Sequence, residues 1–361
     1  MRLRLAGLAV GAATLVAVLA AGGCASKADA PTETPTPATS ATPAGSTAST
    51  APQDAYILYR DDTGTLSARD FTTAKTYHHP SDATKEVIVQ TRCTNDGSRI
   101  AYLKQIFDEE HSTTRQVIIR GSSAPPEPLT VSALVQWIAW SPDGKKLGMV
   151  EWNGQSKQGK LNIYDVDAGQ QTTVLDGNQY IGNIGWSPQS DRLAFYLQSE
   201  DFRRADIYTL KSDGSERKRL TPGDGDLIWL DPAWSGDGKT IVAAGAAADT
   251  VQLYRIDADT GTVAPLTSSN DIYKRNPYFS PDGSLIAFTG SVVLPAVSVG
   301  RDHLHQFAIF TITPDGGDER ALTADPRGTT PGPNDPFLNA YMLGWCAPGP
   351  WLDDLWEEAG P

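Results

Sequence analysis

The five histidines are the first side chains in this sequence that could do chemistry. They are His78, His79, His111, His303 and His305. His303 and His305 are two positions apart, so on a β-strand both would face the same way and could offer two ligands to a metal ion. A metal-dependent lyase would need further spaced histidines, and no other segment supplies them. We therefore expect these two residues to lie on a long surface loop, Ser291 to Gln306, and we expect no metal or other cofactor.

Serine and aspartate patterns indicate turns rather than catalysis. The segment Gly185-Trp-Ser-Pro-Gln189 comes nearest to the Gly-x-Ser-x-Gly signature of serine hydrolases, but it ends on glutamine. Asp-Gly pairs and the segment Asp224-Gly-Asp226 could suggest calcium, which needs several closely spaced oxygen ligands. The same pairs recur at regular intervals, as turn residues do. Both patterns therefore favour a structural role.

The first 24 residues carry the marks of an export signal. Two arginines precede an uncharged, mostly apolar run from Leu5 to Ala21, and small residues follow directly before Cys24. A positive start, a short apolar core and a small-residue cleavage site make a secretory signal. The segment Ala21-Gly-Gly-Cys24 also resembles a bacterial lipobox, which implies cleavage before Cys24 and lipidation of its thiol. We expect residues 1–23 to be the signal peptide; an ordinary cleaved signal with a chance cysteine is the alternative.

Residues 24–54 are predicted to form a tether. After the cysteine they are nearly all Ala, Ser, Thr and Pro, so they cannot bury an apolar face and should stay disordered. Extended at about 3.1 Å per residue, such a segment reaches roughly 90 Å. This length suits a folded part, residues 55–361, that is held away from a membrane by its lipid.

The charge of the chain narrows the range of partners. There are 30 Lys and Arg against 43 Asp and Glu, a formal net charge of −13. An acidic surface argues against nucleic acid and against electrostatic docking on anionic lipid. We therefore expect a monomer that is attached through its lipid alone, on the outer side of the cytoplasmic membrane.

An internal repeat of about 46 residues decides the fold. Each copy has an aromatic residue or cysteine, a Ser-Pro-Asp-Gly turn or a variant of it, and an apolar strand. The copies are Cys93-Thr-Asn-Asp-Gly-Ser-Arg-Ile-Ala-Tyr102, Trp140-Ser-Pro-Asp-Gly-Lys-Lys-Leu-Gly-Met149, Trp186-Ser-Pro-Gln-Ser-Asp-Arg-Leu-Ala-Phe195, Trp234-Ser-Gly-Asp-Gly-Lys-Thr-Ile-Val-Ala243 and Phe279-Ser-Pro-Asp-Gly-Ser-Leu-Ile-Ala-Phe288. Their first residues are 47, 46, 48 and 45 positions apart. Glycine takes positive φ and proline presets the bend in such turns, so each copy predicts a β-hairpin.

A second repeated pattern follows each hairpin. Alternating segments such as Gly159-Lys-Leu-Asn-Ile-Tyr-Asp-Val166 run into another turn, and each unit then ends on a leucine. One unit thus contains four antiparallel strands, which is the sequence signature of a propeller blade. The folded part begins mid-blade at Ala55, and Tyr341-Met-Leu-Gly-Trp345 supplies the missing first strand. We predict an all-β fold, a six-bladed β-propeller whose closing blade is shared by N- and C-terminal strands; residues 350–361 are either a short edge strand or a tail.

The repeat resembles the WD40-like propeller repeat (PD40) of the TolB family, and the resemblance covers residues 55 to about 350. It implies a propeller of the kind found in a periplasmic binding protein. The same repeat type occurs in prolyl-oligopeptidase-like and tricorn-like peptidases and in oligogalacturonate lyases, so it is specific for fold and not for function. The segment before Ala55 resembles a tether instead of TolB's α/β domain, so the Tol function is not carried over whole.

Cys93 and Cys346 remain as a pair once Cys24 is assigned to lipid. Cys93 occupies the tryptophan position of one repeat and Cys346 the serine position of the closing unit, and these positions lie in neighbouring blades. Exported proteins keep disulfides. A bridge would lock the ring at its closing seam and contribute roughly 4 to 5 kcal/mol in the chain-entropy model. Two free thiols are the alternative, because the sequence does not give the distance between the Cα atoms, which must be about 4.4 to 6.8 Å.

Long loops on one face are the expected place for a partner. In a blade, the loops between strands 2 and 3 and the blade-to-blade crossovers share one face, and long loops on a rigid scaffold usually carry function. Three insertions fall there: Ser291–Gln306, Ala324–Pro336 and Ile106–Thr114. The candidate partner-binding residues are Arg301, Asp302, His303 and His305.

Two functions stay open at this point. The first is a lipid-anchored, non-catalytic scaffold of the cell envelope that recognises a protein, a peptide or a glycan. The second is a metal-assisted polysaccharide lyase, or another hydrolytic activity, on the same propeller. A convergent set of His, Gln and Arg in the channel would favour the lyase, whereas an apolar or Trp- and Tyr-rich mouth would favour binding.

Overall fold

β-Strands account for all regular secondary structure of the described residues. The structure, a computed structural model, describes residues 55–60, 65–73, 75–79, 86–107, 113–121, 128–132, 134–201, 203–223, 225, 227–247, 250–293, 305–323, 341–349 and 357–358. They belong to the unit Ala51–Pro361. Within these ranges there is no helix long and apolar enough to cross a membrane.

The strands form six antiparallel sheets, which we number as blades 1 to 6. Blade 1 contains β1 (Tyr56–Arg60), β2 (Leu66–Asp70), β3 (Thr76–His78), β24 (Tyr341–Cys346) and β25 (Glu357–Glu358). Blade 2 contains β4 (Glu86–Cys93), β5 (Arg99–Phe107), β6 (Thr113–Gly121) and β7 (Leu129–Val131). Blade 3 contains β8 (Val135–Trp140), β9 (Lys146–Asn153), β10 (Gln158–Asp165) and β11 (Gln170–Gly177). Blade 4 contains β12 (Tyr180–Trp186), β13 (Arg192–Gln198), β14 (Ala205–Lys211) and β15 (Lys218–Arg219). Blade 5 contains β16 (Ile228–Trp234), β17 (Thr240–Ala247), β18 (Thr250–Asp257) and β19 (Val263–Pro265). Blade 6 contains β20 (Tyr273–Phe279), β21 (Ile286–Val293), β22 (His305–Ile312) and β23 (Arg320–Ala321).

The six blades close into a ring, which confirms the predicted six-bladed β-propeller. The inner strands are β24, β4, β8, β12, β16 and β20, and each contacts the inner strands of the two neighbouring blades. Within a blade the strands pair in order from the inner strand outward. The inner strands therefore surround the central channel, and the outermost strand of each blade lies at the rim.

The repeated turn between the first two strands of a blade is built from its own side chains. In blade 3, Ser141 donates its hydroxyl to Asp143 Oδ1 at 2.6 Å, and the Lys145 N–H donates to the same oxygen at 3.1 Å. Gly144 takes the left-handed conformation that closes the turn, with φ 68°. Burial raises the pKa of Asp143, but these hydrogen bonds and the neighbouring lysines outweigh it and hold the pKa below its ordinary value. The Ser-x-Asp-Gly repeat is thus explained by the turn it forms.

Apolar side chains between neighbouring blades make up the core. One buried cluster joins blades 1 and 2, and others join blades 2 and 3, blades 3 and 4, blades 4 to 6, and blades 6 and 1. The last of these packs Ile57 and Trp345 of blade 1 against Ala287 and Ile309 of blade 6. Because a single blade cannot bury both faces, this continuous core holds the ring together.

Tryptophans of the repeat tie some neighbouring blades together by hydrogen bonds as well. Trp140 Nε1 donates to the carbonyl of Arg92 in blade 2, and Trp186 Nε1 donates to the carbonyl of Ala139 in blade 3, both at 3.1 Å. The equivalent nitrogens of Trp234 and Trp345 are buried and have no acceptor among the described residues. The repeat position therefore places an indole between blades, and only some copies complete the hydrogen bond.

Blade 1 is the composite blade that the sequence predicts. β24 pairs antiparallel with β1, with Tyr56 opposite Cys346 and Ile57 opposite Trp345. The two ends of the fold thus meet in one sheet. Of the two alternatives for residues 350–361, the described part favours the edge strand, because β25 pairs with β3 and places Glu357 opposite His78.

Two of the three predicted insertions are shorter than expected. The loop predicted from Ser291 to Gln306 loses both ends to strands, since β21 extends to Val293 and pairs with His305. The loop predicted from Ile106 to Thr114 also shrinks, because Phe107 pairs with Thr113. Both pairs continue an existing antiparallel ladder in register, which satisfies backbone groups that a loop would leave to water. Residues 294–304, 108–112 and 324–340 lie outside the described residues.

The two ends of the channel differ in what surrounds them. The turns between strands 1 and 2 and between strands 3 and 4 surround one end, which we call the turn face. The loops between strands 2 and 3 and the crossovers surround the other end, which we call the loop face. Each inner strand runs from the loop face to the turn face.

Candidate binding site in the central channel

Every blade carries one irregularity next to the channel, at about the same level. An antiparallel pairing shifts by one residue there, so that the inner strand has one residue more than its partner. The shifts lie between Ile88 and Gln90, Val135 and Trp137, Gly182 and Ile184, Leu230 and Ala233, and Arg275 and Tyr278, and opposite Leu58 and Tyr59 in blade 1. Such β-bulges re-aim side chains and occur often next to functional sites.

The bulges of blades 5 and 6 contain the strained residues Asp231 and Asn276. Their φ values are 53° and 51°, in the left-handed region that non-glycine residues seldom adopt. Both precede a proline, Pro232 and Pro277, which restricts their backbone further. Only 2% of Asp231 and 3% of Asn276 is exposed. The surrounding structure must therefore hold both residues in place.

Asp231 links the two bulges. Its Oδ2 accepts a hydrogen bond from Arg275 Nε at 2.6 Å and another from the backbone N–H of Asn276 at 3.3 Å. The Arg275 side chain is 38% exposed, whereas that of Asp231 is buried. The carboxylate is thus a fixed support, and the guanidinium is the part of this pair that solvent reaches.

Tyr278 joins three blades at its hydroxyl group. Arg92 Nη2 from blade 2 donates to Tyr278 Oη at 2.6 Å, and the same guanidinium lies 5.0 Å from the centre of the Tyr278 ring. Asn183 from blade 4 also hydrogen-bonds this hydroxyl. Burial raises the pKa of Tyr278, and nearby Asp231 adds to the rise, while Arg92 and Asn183 oppose it. The phenol therefore stays neutral and acts as a bridge across the channel.

These residues form one polar group, which we call the waist cluster. It draws on blades 2, 4, 5 and 6 and consists of Arg92, Asn183, Asp231, Arg275, Asn276 and Tyr278. With two guanidinium groups and one carboxylate it carries a net positive charge, although the chain as a whole is acidic. The cluster can bind through hydrogen bonds and charge.

Aromatic side chains lie between the waist cluster and the loop face. Trp137 Nε1 donates to the Tyr180 hydroxyl at 3.2 Å, and the ring of Trp152 meets that of Tyr180 edge-on at 5.3 Å. All three are partly exposed, and we call them the entrance aromatics. Burial raises the pKa of Tyr180, against the effect of its hydrogen bonds with Trp137 and Tyr196. A chain that enters from the loop face would meet these rings before the waist cluster.

Ser67 and Ser187 are two buried serines that contact a histidine or an aspartate, and both serve the fold. Ser67 Oγ lies 2.9 Å from His78 Nδ1, but none of Ser67 is exposed, and the pair spans two outer strands of blade 1. Ser187 donates its hydroxyl to Asp191 Oδ1 at 2.7 Å within a repeat turn and is 1% exposed. Neither hydroxyl can reach a substrate in this arrangement. Among the described residues, no group of three or more His, Cys, Asp or Glu is placed to hold a metal ion.

Comparison with known protein families identifies the propeller. The family model of the TolB β-propeller domain (PD40) matches residues 94–331, well over half of the chain. The chain belongs to the TolB β-propeller family. This confirms the resemblance expected from the repeat.

Individual relatives of this TolB-type propeller are distant. An uncharacterized protein of Agrobacterium fabrum, Atu1656, is 26% identical over 225 residues, which is 58% of this chain and 74% of that protein. Among solved structures, TolB from Acinetobacter baumannii has a TM-score of 0.59 at 18% identity, over 81% of this chain and 66% of that structure. Putative TolB from Agrobacterium tumefaciens has a TM-score of 0.51 at 20% identity, over 80% of this chain and 98% of that structure. The chain thus spans just under two thirds of the Acinetobacter protein, and these likenesses show the fold alone.

The closing seam of the propeller brings two predicted site residues together. Cys93, at the end of β4, and Cys346, at the end of β24, form a disulfide with their Cα atoms 5.8 Å apart. The bridge joins the inner strands of blades 2 and 1 across 253 positions of sequence. The ring is therefore covalently closed where its two chain ends meet.

The other predicted site residues are not brought together in the described part of the chain. Cys24, Arg301, Asp302 and His303 lie outside the described residues, and His305 is described only as the first residue of β22. The sequence analysis missed the waist cluster entirely. One signal was present: Asp-Pro at 231–232 and Asn-Pro at 276–277 are 45 positions apart, one repeat length.

Proposed function

We infer that this protein is an exported, lipid-anchored binding scaffold of the cell envelope, which holds a segment of a partner at the loop-face end of its channel without catalysing a reaction. The waist cluster is the observation that carries this proposal. Its side chains come from four blades and are held by buried contacts and strained bulges. None of these side chains forms a nucleophile–base pair, so the arrangement is suited to recognition.

The backbone of the channel supports a polypeptide partner segment in particular. Each inner strand is the free edge of its sheet. Neighbouring blades bond part of such an edge, as at the Ile138 N–H and the Arg92 carbonyl, and an extended chain could pair with the remaining N–H and C=O groups. Each bulge also leaves an extra residue outside the ladder. The entrance aromatics, Trp137, Trp152 and Tyr180, add apolar contact area where the channel opens on the loop face. A protein or peptide fits these features better than a glycan, because a strand edge pairs with another polypeptide backbone.

The lyase alternative finds less support in the channel. Gln90, Arg92 and Arg275 do lie on inner strands, but the amide oxygen of Gln90 accepts the N–H of Ile138 and is engaged in the fold. The histidines whose strands are described, His78 and His305, lie on β3 and β22, away from the inner strands. By the criterion set from the sequence, this arrangement favours binding.

Cross-linking of the full-length chain in its native envelope tests the channel proposal. We expect wild type to capture one dominant protein partner, and Arg275→Ala to reduce capture at least tenfold, because a charge-assisted contact contributes about 1.5 to 3 kcal/mol. Arg217→Ala is the matched control, since this exposed arginine lies next to β15, outside the channel. Equal capture by all three proteins would contradict the channel proposal. Enrichment of glycan without protein would point back to the alternative.

The predicted partner loop around Arg301, Asp302, His303 and His305 remains a separate proposal. It joins β21 to β22 and therefore belongs to the loop face, as the channel entrance does. Replacing residues 294–304 with a short turn is expected to abolish partner capture while thermal stability stays nearly unchanged. Undiminished capture would remove this loop from the site and leave the waist cluster as the proposed contact.

The proposed lipid anchor rests on the leader sequence and Cys24. Growth with an alkyne-labelled fatty acid should label the wild-type chain, and Cys24→Ala should lose the label and leave the membrane fraction. A labelled Cys24→Ala chain would contradict the assignment.

A further inference from the structure

The outermost strand of blade 3 differs from the other five outer strands in length. β11 has eight residues, whereas β25, β7, β15, β19 and β23 have two or three. An outer strand presents unpaired N–H and C=O groups and can therefore pair with another chain. Proteins commonly keep such strands short, and β11 is the exception among the described blades.

The other outer strands also carry residues that block pairing. β15 is Lys218 and Arg219, β25 is two glutamates, and β19 ends on Pro265. β7 is preceded directly by Pro128, and β23 begins with Arg320. Charged residues and proline are the usual means of preventing edge-to-edge pairing. β11 reads Gln-Gln-Thr-Thr-Val-Leu-Asp-Gly, and its one charged residue lies near its end.

Side-chain hydrogen bonds hold β11 in an extended form. Thr173 Oγ1 donates to Asn162 Oδ1 at 2.7 Å, and Asn162 Nδ2 donates to Glu151 Oε1 at 2.8 Å, so one chain of contacts crosses three strands. Near the far end, Gln158 Nε2 donates to Asp176 Oδ1 at 3.2 Å. The equivalent of Asn162 is Tyr208 in blade 4 and Tyr254 in blade 5, so blade 3 departs from the repeat where this support is made.

The accessible part of the edge is its first half, Gln170 to Thr173. All four of these residues are exposed. A bulge leaves Val174 without a direct partner, and the turn at Gly214 of blade 4 packs against the Val174 carbonyl. A partner strand therefore finds about four residues to pair with, roughly 13 Å of edge at about 3.3 Å per residue.

We propose that Gln170–Thr173 is a docking edge for an extended, neutral-to-basic segment of another polypeptide, which adds to blade 3 as a fifth strand. Carboxylates lie near both ends of this edge, Asp165 and Asp167 on one side and Asp176 on the other. Arg99 lies 3.7 Å from Asp167 and Lys160 lies 3.8 Å from Asp176, so these carboxylates outnumber the cations that they contact by one. This excess and the net charge of −13 favour Lys or Arg over Asp or Glu near the ends of the incoming strand. This edge lies at the outer rim, so the proposal does not depend on ligand binding in the channel.

The same carboxylates disfavour a second copy of this chain as the occupant. Antiparallel self-pairing centred on the exposed stretch would set Gln171 against Thr172 of the other copy. Residues 166–169 form a turn, so Asp167 does not continue the paired stretch but lies at the end where the other copy carries Asp176. Like charges near one another are unfavourable there, and the net charge of −13 on each copy adds to the repulsion.

Synthetic peptides and the full-length chain in detergent micelles test the proposal. The probe is an end-blocked peptide, Lys-Thr-Val-Thr-Val-Thr-Lys. Its first control has Glu in place of both Lys, and its second is methylated at alternate backbone nitrogens. We expect the basic peptide to bind and to protect the outward-facing amides, those of Gln171 and Thr173, from hydrogen exchange, because N–H groups alternate in direction along a strand. The control peptide with Glu in place of both Lys should bind at least threefold more weakly. The methylated control peptide should bind about tenfold more weakly, which is the loss expected when one or two hydrogen bonds of about 1 kcal/mol are removed.

Two edge variants copy the blocking residues of other blades. Thr173→Pro places proline where blade 5 has Pro265, because Thr173 faces Asn162 and Pro265 faces the equivalent Tyr254. Thr172→Lys copies Lys218 of blade 4 and keeps Thr173 intact. Both should weaken binding about tenfold, whereas Ala264→Lys, at the equivalent position of the already blocked blade 5, should not. Equal binding by Thr173→Pro and Thr172→Lys, or by the methylated peptide, would overturn the proposal. So would a concentration-dependent dimer of wild type that Thr173→Pro abolishes, since the occupant would then be a second copy.

Discussion

Each blade of this propeller has two edge strands, one at the channel and one at the rim, and the two differ in length, in charge and in backbone strain. The inner strands are six to eight residues long and carry bulges, strained residues and buried polar contacts. The outer strands, β11 excepted, are two or three residues long and charged or next to proline. Six inner strands must meet one another, so their side chains have to be placed accurately. An outer strand only has to avoid pairing, which shortness and charge achieve. We therefore expect substitutions at the channel to change stability, and substitutions at the rim to change association alone.

The largest effect is expected at the seam, where two inner strands are joined covalently. Removing the Cys93–Cys346 bridge frees a loop of more than 250 residues in the unfolded chain. The double variant Cys93→Ala with Cys346→Ala should lose about 5.5 kcal/mol of unfolding free energy in the chain-entropy model. Urea unfolding measures this loss, and a reducing agent should lower the stability of wild type and leave the variant unchanged. Equal midpoints for wild type and variant would show that the inner strands hold the seam without the bridge.

The next largest effect is expected in the waist cluster. Asp231→Ala removes the acceptor of Arg275 and of the Asn276 N–H, so the residue keeps its left-handed conformation without the hydrogen bonds that hold it there. We expect a loss of about 3 kcal/mol, below the value for a fully buried pair because Arg275 is partly exposed. Asp231→Asn tolerates the same φ and keeps one acceptor, so it should lose about half as much. Thermal unfolding of Asp231→Ala and Asp231→Asn measures both losses of unfolding free energy. Equal losses would mean that the negative charge of Asp231 alone stabilises the cluster.

Most of the fold follows from the repeat, and the reason is local. The turn formed by Ser141 and Asp143 needs only residues within six positions of one another, and this turn or a variant of it recurs in blades 2 to 6. Counting units then predicts six blades and assigns β24 to blade 1. The repeat positions also place Cys93 and Cys346 in neighbouring blades, but they do not give the distance between the Cα atoms, so the sequence left open whether the two are bridged.

The candidate site could not be predicted in this way. The hydrogen bond from Arg92 to Tyr278 joins residues 186 positions apart, across the channel. A repeat gives the level of a residue within its blade but not the side chain that it meets on another blade. The bulges are hidden for a related reason, because one extra residue shifts the alternation of inward and outward positions without changing the composition. The Asp-Pro and Asn-Pro pairs at 231–232 and 276–277 are the feature of the sequence that marks two of these bulges.

A smaller effect is expected from single hydrogen bonds of the inner strands. Trp186 donates to Ala139 of the neighbouring blade, whereas Trp234 has no acceptor in the described structure. Trp186→Phe and Trp234→Phe remove similar ring volume, so the difference between them isolates the hydrogen bond. We expect Trp186→Phe to lose about 1 kcal/mol more than Trp234→Phe. Urea unfolding of the two variants checks this, and equal losses would mean that the two indoles differ only in how they pack.

The turns that join inner strands to second strands should give a modest dependence on pH. The pKa of Asp143 is held below its ordinary value of 3.8 in the folded chain, so the ionised form favours folding. This contribution is fully present above the unfolded value and is lost as the pH falls through the lower, folded value. Asp143→Asn keeps the shape of the side chain and removes the titration. The stability difference between wild type and Asp143→Asn should therefore shrink when urea unfolding is repeated below about pH 4. A difference that grows in acid would reverse the sign assigned here.

The smallest effect on stability is expected at the rim. There the difference between β11 and the other outer strands can be tested by making β15 resemble β11 and by making β11 resemble β15. Lys218→Thr with Arg219→Thr gives β15 the neutral sequence of β11, and Thr172→Lys gives β11 the charge of β15. Both changes fall on exposed residues, although Arg219 loses its contact with Asp206. We expect unfolding free energies within about 0.5 to 1 kcal/mol of wild type. The basic peptide should nevertheless gain a second binding site on the unblocked β15 variant and lose its site on Thr172→Lys, because an edge strand without charge can pair with an added strand. If the unblocked variant bound no second peptide, the two residues of β15 would be too few to pair. Length, rather than charge, would then separate β11 from the other outer strands.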